Sequence, residues 1–321
     1  MAFIHDIFSK AKKNMRIIAF PEYDDPRIIE AARLIEKKRI AIPVIVGDPK
    51  KISSKDSGLR IIDVTNKDTV SSLLSYYKKI RSSKKKKVTD SELKMIAKDS
   101  VPLAILLLHS GLFDAVITGA KHSTGHTLRW GFKIIGLKRG VTKASSYFIM
   151  DKHAKNKDDI KLFADCAVQI NPTSKELAEI AILTSQTAKK IGLKPKAAML
   201  SFSTKGSANS DETKKIKKAV SLVRKKDSKL IIDGEMQFDS AVDPETAKRK
   251  GAYDKIKGKA NVFIFPTLDA GNIGYKIMRI YGKYDALGPI IQGLNKPVID
   301  LSRSVSVEEI VDIAGLVGAL N

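Results

Sequence analysis

Two α/β domains, built on parallel or mixed sheets covered by helices on both faces, are the fold class this 321-residue sequence predicts. Three observations carry that expectation. Short apolar runs alternate with amphipathic segments in a βαβα order, which favours parallel strands under helical layers. The length is long for one domain and suits two. The alternation also changes character once, near Gly140.

The elements follow in order. RIIAF (Arg16–Phe20) reads as a buried strand, and DPRIIEAARLIEKK after it spaces apolar residues for a helix with a proline near its start. IPVIVGD is a second strand, DSELKMIAKDSVPLAILLLHSG a helix, FDAVITGA a strand running into glycine, and TLRWGFKII a helix after it. Beyond Gly140, SSYFIMD and KLFADCAVQI are strand-like runs separated by the polar KHAKNKDD, which predicts an antiparallel excursion. Helix and strand then alternate through SKELAEIAILTSQTAKKIG, KAAMLSFS, SDETKKIKKAVSLVRKK, KLIIDGE, NVFIFPT and NIGYKIMRIYG. The closing KPVIDLSRSVSVEEIVDIAGLVGAL supplies a last strand and helix that are expected to pack back on the first domain.

Composition narrows the class of protein. Hydrophobic residues make up 43%, which fits a globular chain. No run of about 18 apolar residues could span a bilayer, and no charged start precedes an apolar stretch, so a soluble, cytoplasmic protein is expected. Cys166 is the single cysteine, which excludes an intrachain disulfide and a multi-cysteine metal site. The 58 Lys and Arg against 35 Asp and Glu give a net charge of +23, with a pI near 9.8. That field attracts anions. Few aromatics stand among the scattered lysines, so neither a stacking surface nor a groove-reading module for nucleic acid is expected.

Ligands of open parallel sheets bind beyond the carboxyl ends of strands. Candidate ends are TGAKHSTGHTLR (Thr118–Arg129), SFSTKGSANS (Ser201–Ser210), FPTLDAGNIGYK (Phe265–Lys276) and DLSRS from Asp300. Glycines let backbone N–H groups approach an anion, and hydroxyls donate to it. Arg129 follows Ser123 and Thr124 at helical distance, and Arg303 adjoins Ser302. Together they supply donors and two cations for a phosphate. There is no G-x-x-x-x-G-K-[ST], no G-x-G-x-x-G after a strand, no G-x-S-x-G and no H-E-x-x-H. His122 and His126 stand i, i+4, but in a loop without carboxylate or cysteine company, so no metal is expected. Ser306 and Glu309 form an S-x-x-E capping box, which leaves Ser302 and Arg303 unexplained.

These motifs together resemble the phosphotransacetylase (phosphate acetyltransferase) family. The resemblance runs in order through AFPEYDDPRIIEAA, HSTGHTLR, FADCAVQINP, LAEIAI, AAMLSFSTKGS, IDGEMQFDSAV, GKANVFIFPTLDAGNIGYK and GPIIQGLNKPVIDLSRS, nearly the whole chain. It implies reversible acetyl transfer between acetyl phosphate and the thiol of coenzyme A, with acetyl-CoA and phosphate as the other substrate pair and neither metal nor permanent cofactor. It also implies a homodimer and two α/β domains with the active-site cleft between them. On that pattern residues 1–139 plus 293–321 form the first domain, and 140–292 the inserted second.

Carried over by position, the resemblance makes Ser302 the hydroxyl that supports the acyl group and Arg303 a phosphate ligand. Ser123, Thr124 and Arg129 match the loop that grips acetyl phosphate, and Arg81 matches an arginine associated with coenzyme A, although two extra residues separate it from the following threonine. The general base, an aspartate in the family, falls on Glu309. A second family arginine falls on Ile280, with Arg279 one place earlier as the candidate coenzyme A contact, and the glycine after Ser-Arg is Ser304. A thiol of pKa about 8.5 facing a carboxylate of about 4.3 calls for a raised carboxylate pKa or concerted attack. The competing readings are a butyryltransferase-like enzyme and an acyl-CoA-binding domain without catalysis, the latter motivated by Glu309 and Ile280.

Overall fold

The computed structural model describes residues 2–52, 58–152 and 159–320. They divide into two compact units, one of residues 4–138 with 294–320 and the other of residues 2–3 with 139–293. Part of the polar KHAKNKDD segment, residues 153–158, lies outside the described residues.

The first unit carries five parallel strands: β1 (Ile17–Phe20), β2 (Ile42–Gly47), β3 (Arg60–Asp63), β4 (Ala115–Thr118) and, after β5 to β10 of the other unit, β11 (Val298–Asp300). Their order is β11-β4-β1-β2-β3. The runs IIAF and AVIT are almost wholly buried, as expected of central strands with helices on both faces. Helix α1 (Ala2–Lys13) precedes β1, and α2 (Pro26–Lys38) joins β1 to β2. Asp25 caps α2 by accepting the Arg27 N–H, Pro26 occupies the first turn, and Arg39 ends the helix with a φ of 53°. Ile28 and Ile35 of α2 share one core with Ile18, Ile45 and Ile299 of the strands. Ile313 of α12 (Val307–Leu320) enters that core, so the last strand and helix complete a domain begun some 300 residues earlier.

Helices α3 (Lys67–Ser83), α4 (Asp90–Ala97) and α5 (Ser100–Ser110) connect β3 to β4. Residues 90–111, expected as one helix, form two. Asp99 starts α5 by accepting the Val101 N–H. Pro102 then falls in a first turn, where its missing N–H has no intrahelical partner to lose. The helix expected from TLRWGFKII starts earlier, as α6 (Thr124–Trp130), and passes into a π turn over Gly131–Ile135.

The second unit carries β5 (Ser145–Asp151), β6 (Lys161–Ala164), β7 (Lys196–Leu200), β8 (Ile231–Met236), β9 (Val262–Ile264) and β10 (Asp285–Gln292) in the order β10-β5-β6-β9-β7-β8. β5 is antiparallel to both β6 and β10, and the remaining pairs are parallel. β6 stops sooner than KLFADCAVQI suggests, because the Asp165 carboxylate accepts the N–H groups of Ala167, Val168 and Gln169 and turns the chain. β10 escapes a sequence reading, since its Gly288-Pro289 pair looks like a turn. As an edge strand with an irregularity between Leu287 and Ile290, it accommodates a residue without an N–H. Helices α7 (Ser174–Lys190), α8 (Asp211–Lys226), α9 (Phe238–Val242), α10 (Pro244–Arg249) and α11 (Leu268–Ile280) complete the unit.

In the first unit the ends of β4 and β11 meet closely. Leu301 N donates to Thr118 O at 2.7 Å. Gly119 has a φ of +104°, and a Cβ there would lie 2.5 Å from Leu301 N and 2.7 Å from Asp300 Oδ1. Gly119→Ala is therefore expected to destabilise the chain by about 2–4 kcal/mol in urea unfolding. A loss below about 0.5 kcal/mol, the scale of an ordinary surface change, would refute so close an approach.

Candidate active site

Strands β11, β4 and β1 are neighbours in the sheet, so their carboxyl-end loops lie side by side. Two of the four loops singled out from sequence, Thr118–Arg129 and the one after Asp300, are among them. The other two, Ser201–Ser210 and Phe265–Lys276, belong to the second unit.

The loop after β1 holds the other two in place. Glu22 is buried, and its carboxylate accepts the N–H groups of Ala120, Lys121 and His122 at 2.8–2.9 Å and stands 2.7 Å from His122 Nδ1. Burial alone would raise the Glu22 pKa, but the bonds from His122, Lys121 and Ala120 outweigh it and hold the group low. Asp25 pairs with Arg27 through both oxygens, at 3.1 Å from Nε and 2.7 Å from an Nη. The outer nitrogens of Arg27 donate to Ala120 O at 3.0 Å, Arg303 O at 2.9 Å and Val305 O at 3.0 Å. One guanidinium thus fixes the β4 and β11 loops to the start of α2. Sequence reading took DDPR only as a helix start, and its sole signal of more was an arginine immediately after a capping aspartate.

Ser123 is the N-cap of α6, its Oγ accepting the His126 N–H at 3.3 Å, and Thr124 is the first helical residue. Thr124 Oγ1 donates to Asp300 Oδ2 at 2.5 Å, a second tie between the loops. Arg129 is exposed, with its guanidinium 5.3 Å from the Trp130 ring centroid. Ser302 and Arg303 are exposed on the β11 loop. The Ser302 and Ser304 hydroxyls lie 3.0 Å apart, and Ser304 N donates to Ser302 Oγ at 3.3 Å. Ser304 is not among the residues of positive φ, so its side chain brings no left-handed strain. The capping box forms in full: Ser306 N donates to Glu309 Oε2 at 2.8 Å, and Glu309 N to Ser306 Oγ at 3.1 Å.

Arg81 ends α3 with its Nε buried and without a hydrogen-bond partner among the described residues. It shares surroundings with Arg129. Burial and a hydrogen bond to Glu92 push the Tyr77 hydroxyl up to about 12, while Arg81 and Arg129 both oppose the rise. Glu92 in turn pairs with Lys133. Arg279 lies on α11 of the second unit, exposed and beside Tyr275.

Three carboxylates that sequence reading missed stand at these loops. Asp300 is fully buried at the end of β11, and burial chiefly, with the nearby Glu22 charge, raises its pKa to about 6 against the hydroxyls of Thr124 and Thr127. The histidine pair does have carboxylate company: Glu22 beside His122 and Asp99 beside His126, the latter with Oδ2 2.8 Å from Nε2. The chain supplies both from distant positions, which is why the local sequence gave no hint.

Residues 2–317 match the family model described as phosphate acetyl/butaryl transferase. The chain is 40% identical to phosphate acetyltransferase of Bacillus subtilis (strain 168), over 98% of each chain. It is also 40% identical to phosphate acetyltransferase of Staphylococcus aureus (strain MRSA252), over 96% of this chain and 94% of that one. Among solved structures, a phosphotransacetylase from Streptococcus pyogenes superposes with a TM-score of 0.90 at 37% identity, covering 99% of this chain and 97% of that one. One from Staphylococcus aureus gives 0.87 at 38% identity over 98% of each.

The Asp300 carboxyl gives the site a measurable pH signature. An acid whose pKa rises on folding from 3.8 to about 6 binds its proton more tightly in the native state. Its burial therefore costs little below about pH 4 and weighs fully above about pH 6. Asp300→Asn, which cannot ionise, is expected to gain stability relative to the parent chain between about pH 4 and about pH 7, by up to about 3 kcal/mol. Urea unfolding at the two pH values checks this, and a difference that does not change with pH would refute it.

Proposed function

The chain belongs to the phosphate acetyl/butaryl transferase family, and from that premise we infer that it is an acyltransferase moving an acetyl group reversibly between acetyl phosphate and coenzyme A. The observation that best supports a place for the chemistry is the joining of the β4 and β11 loops by Arg27 and by the Thr124–Asp300 bond. It holds Ser123 and Thr124 in register with Ser302 and Arg303, so donors and cations from two loops serve one phosphorylated substrate.

In the forward direction the coenzyme A sulfur attacks the carbonyl carbon of acetyl phosphate. A C–S bond forms, the carbon–oxygen bond to phosphate breaks, and phosphate leaves with the bonding pair. Ser123, Thr124, Arg129 and Arg303 hold the phosphoryl oxygens and take up the charge that grows on them. The Ser302 hydroxyl donates to the carbonyl oxygen, where negative charge develops as sulfur adds. Glu309 accepts the thiol proton. Its cap to Ser306 holds the carboxylate at the head of α12, so the orientation is set before substrate arrives. Arg81, whose buried Nε has no hydrogen-bond partner among the described residues, and Arg279 are the cations proposed for coenzyme A phosphates. No metal enters these steps.

A homodimer is proposed on a separate observation in the second unit. Ile273, Ile277 and Ile280 recur along α11 and, with Tyr281 at 84% exposure, present an apolar stripe to solvent. Such a stripe suits a second copy of the same helix, since a twofold interface is self-complementary. No described helix is long and apolar enough to cross a membrane, and dependence on coenzyme A supports a cytoplasmic location.

Two measurements test this reading. In an assay following thiol release from acetyl-CoA and phosphate, Arg303→Ala and Ser302→Ala are each expected to lower kcat/KM by about 100-fold or more. Glu309→Gln keeps the capping box, so it should leave stability nearly unchanged while removing most turnover, and Glu309→Asp should retain more activity than Gln. Full activity in Glu309→Gln would reduce the residue to a cap. For the assembly, light scattering after gel filtration should give twice the chain mass, and Ile277→Asp should shift it to monomer.

A further inference from the structure

Asp99, His122 and His126 each bring one ligand atom to within 4.8 Å of the others, and each is held by a different constraint. Asp99 caps α5 through Oδ1, which accepts the Val101 N–H at 2.9 Å, while Oδ2 stands 2.8 Å from His126 Nε2. Glu22 fixes His122 from behind, at 2.7 Å from Nδ1, and backbone N–H groups fix Glu22 in turn. His126 follows one helical turn later, with its ring stacked on His122 at 4.8 Å and set edgewise against Trp130.

The direction of the His126 ring carries the argument. Nε2 is buried and makes no hydrogen bond of acceptable geometry among the described residues, although the Asp99 oxygen lies so near. Its in-plane direction therefore passes beside the carboxylate. Ligands of a common ion behave in this way, each pointing at a shared centre instead of at the other. Two ligands about 2.0–2.2 Å from a tetrahedral zinc ion lie about 3.3 Å apart, so the 2.8 Å gap would open by only about half an ångström. A carboxylate behind a histidine is also the arrangement that orients imidazole for ligation.

We propose that Asp99, His122 and His126 form a binding site for a divalent transition-metal cation of the zinc or cobalt class. Two imidazoles and one carboxylate favour such ions over magnesium or calcium, which take oxygen ligands. An occupied site joins the first turn of α5 to the first turn of α6, on either side of Ser123 and Thr124. The ion makes and breaks no bond in acetyl transfer. It stiffens the loop that holds the phosphoryl group.

Cobalt(II) titration of the untagged full chain tests the proposal, with calorimetry for stoichiometry and visible absorption for coordination. One ion per chain is expected, with the d–d bands of four-coordinate cobalt. Asp99→Asn, which preserves the helix cap, and His126→Gln should each weaken binding at least about tenfold. Circular dichroism and thermal unfolding establish that both variants are folded. Binding by the parent chain no tighter than that of the two variants overturns the proposal and leaves a stacked imidazole pair held by Asp99 and Glu22. The readout needs no substrate, so its outcome is independent of whether acetyl transfer is observed.

Discussion

The arrangement of the first unit's loops depends on one buried-edge ion pair. Loops at the end of a parallel sheet leave main-chain groups without ladder partners, and each buried one must be satisfied. Arg27 satisfies three carbonyls from two loops, and Glu22 satisfies three N–H groups of one of them. A cation in that position needs its own counter-charge. Asp25 supplies it through both oxygens, and the bond to Arg27 is the main reason the Asp25 carboxyl is held below its usual range. The short loop after β1 is thus the frame on which the β4 and β11 loops hang.

Much of this fold was legible in the sequence because its signals are local. Asp25-Pro26 at the head of α2, Ser306 with Glu309 at α12, and the apolar runs of β1 and β4 each report their own neighbourhood. The failures have local causes too. Gly288-Pro289 hid an edge strand, and Asp99 and Pro102 divided a helix that apolar spacing had joined. What could not be read were pairs distant in the chain. Arg27 meets Ala120 and Arg303 at separations of 93 and 276 residues, and no periodicity records such contacts. Asp300 looked like the last letter of a strand until the fold enclosed it and placed Thr124 against it.

Glu309 is a helix cap in the structure and the proton acceptor of the proposed reaction. A capping carboxylate is ordered by the N–H it accepts and by the favourable end of the helix dipole. A proton acceptor benefits from the same ordering. The two roles make different demands on the carboxylate, since a cap accepts a hydrogen bond and a base accepts a proton. In the proposed mechanism a concerted attack reconciles them, with the thiol proton moving as the C–S bond forms.

The partners of Arg27 on the loops have a consequence for how this protein can change. Its outer nitrogens reach only main-chain oxygens, those of Ala120, Arg303 and Val305. The clamp therefore reads the path of the polypeptide and is indifferent to the side chains it carries. Ser304 lies between two of the residues whose carbonyls it holds, and side chains on either loop can change while the scaffold stays in place. Such a surface can explore other ligands by point mutation without first having to relearn how to fold.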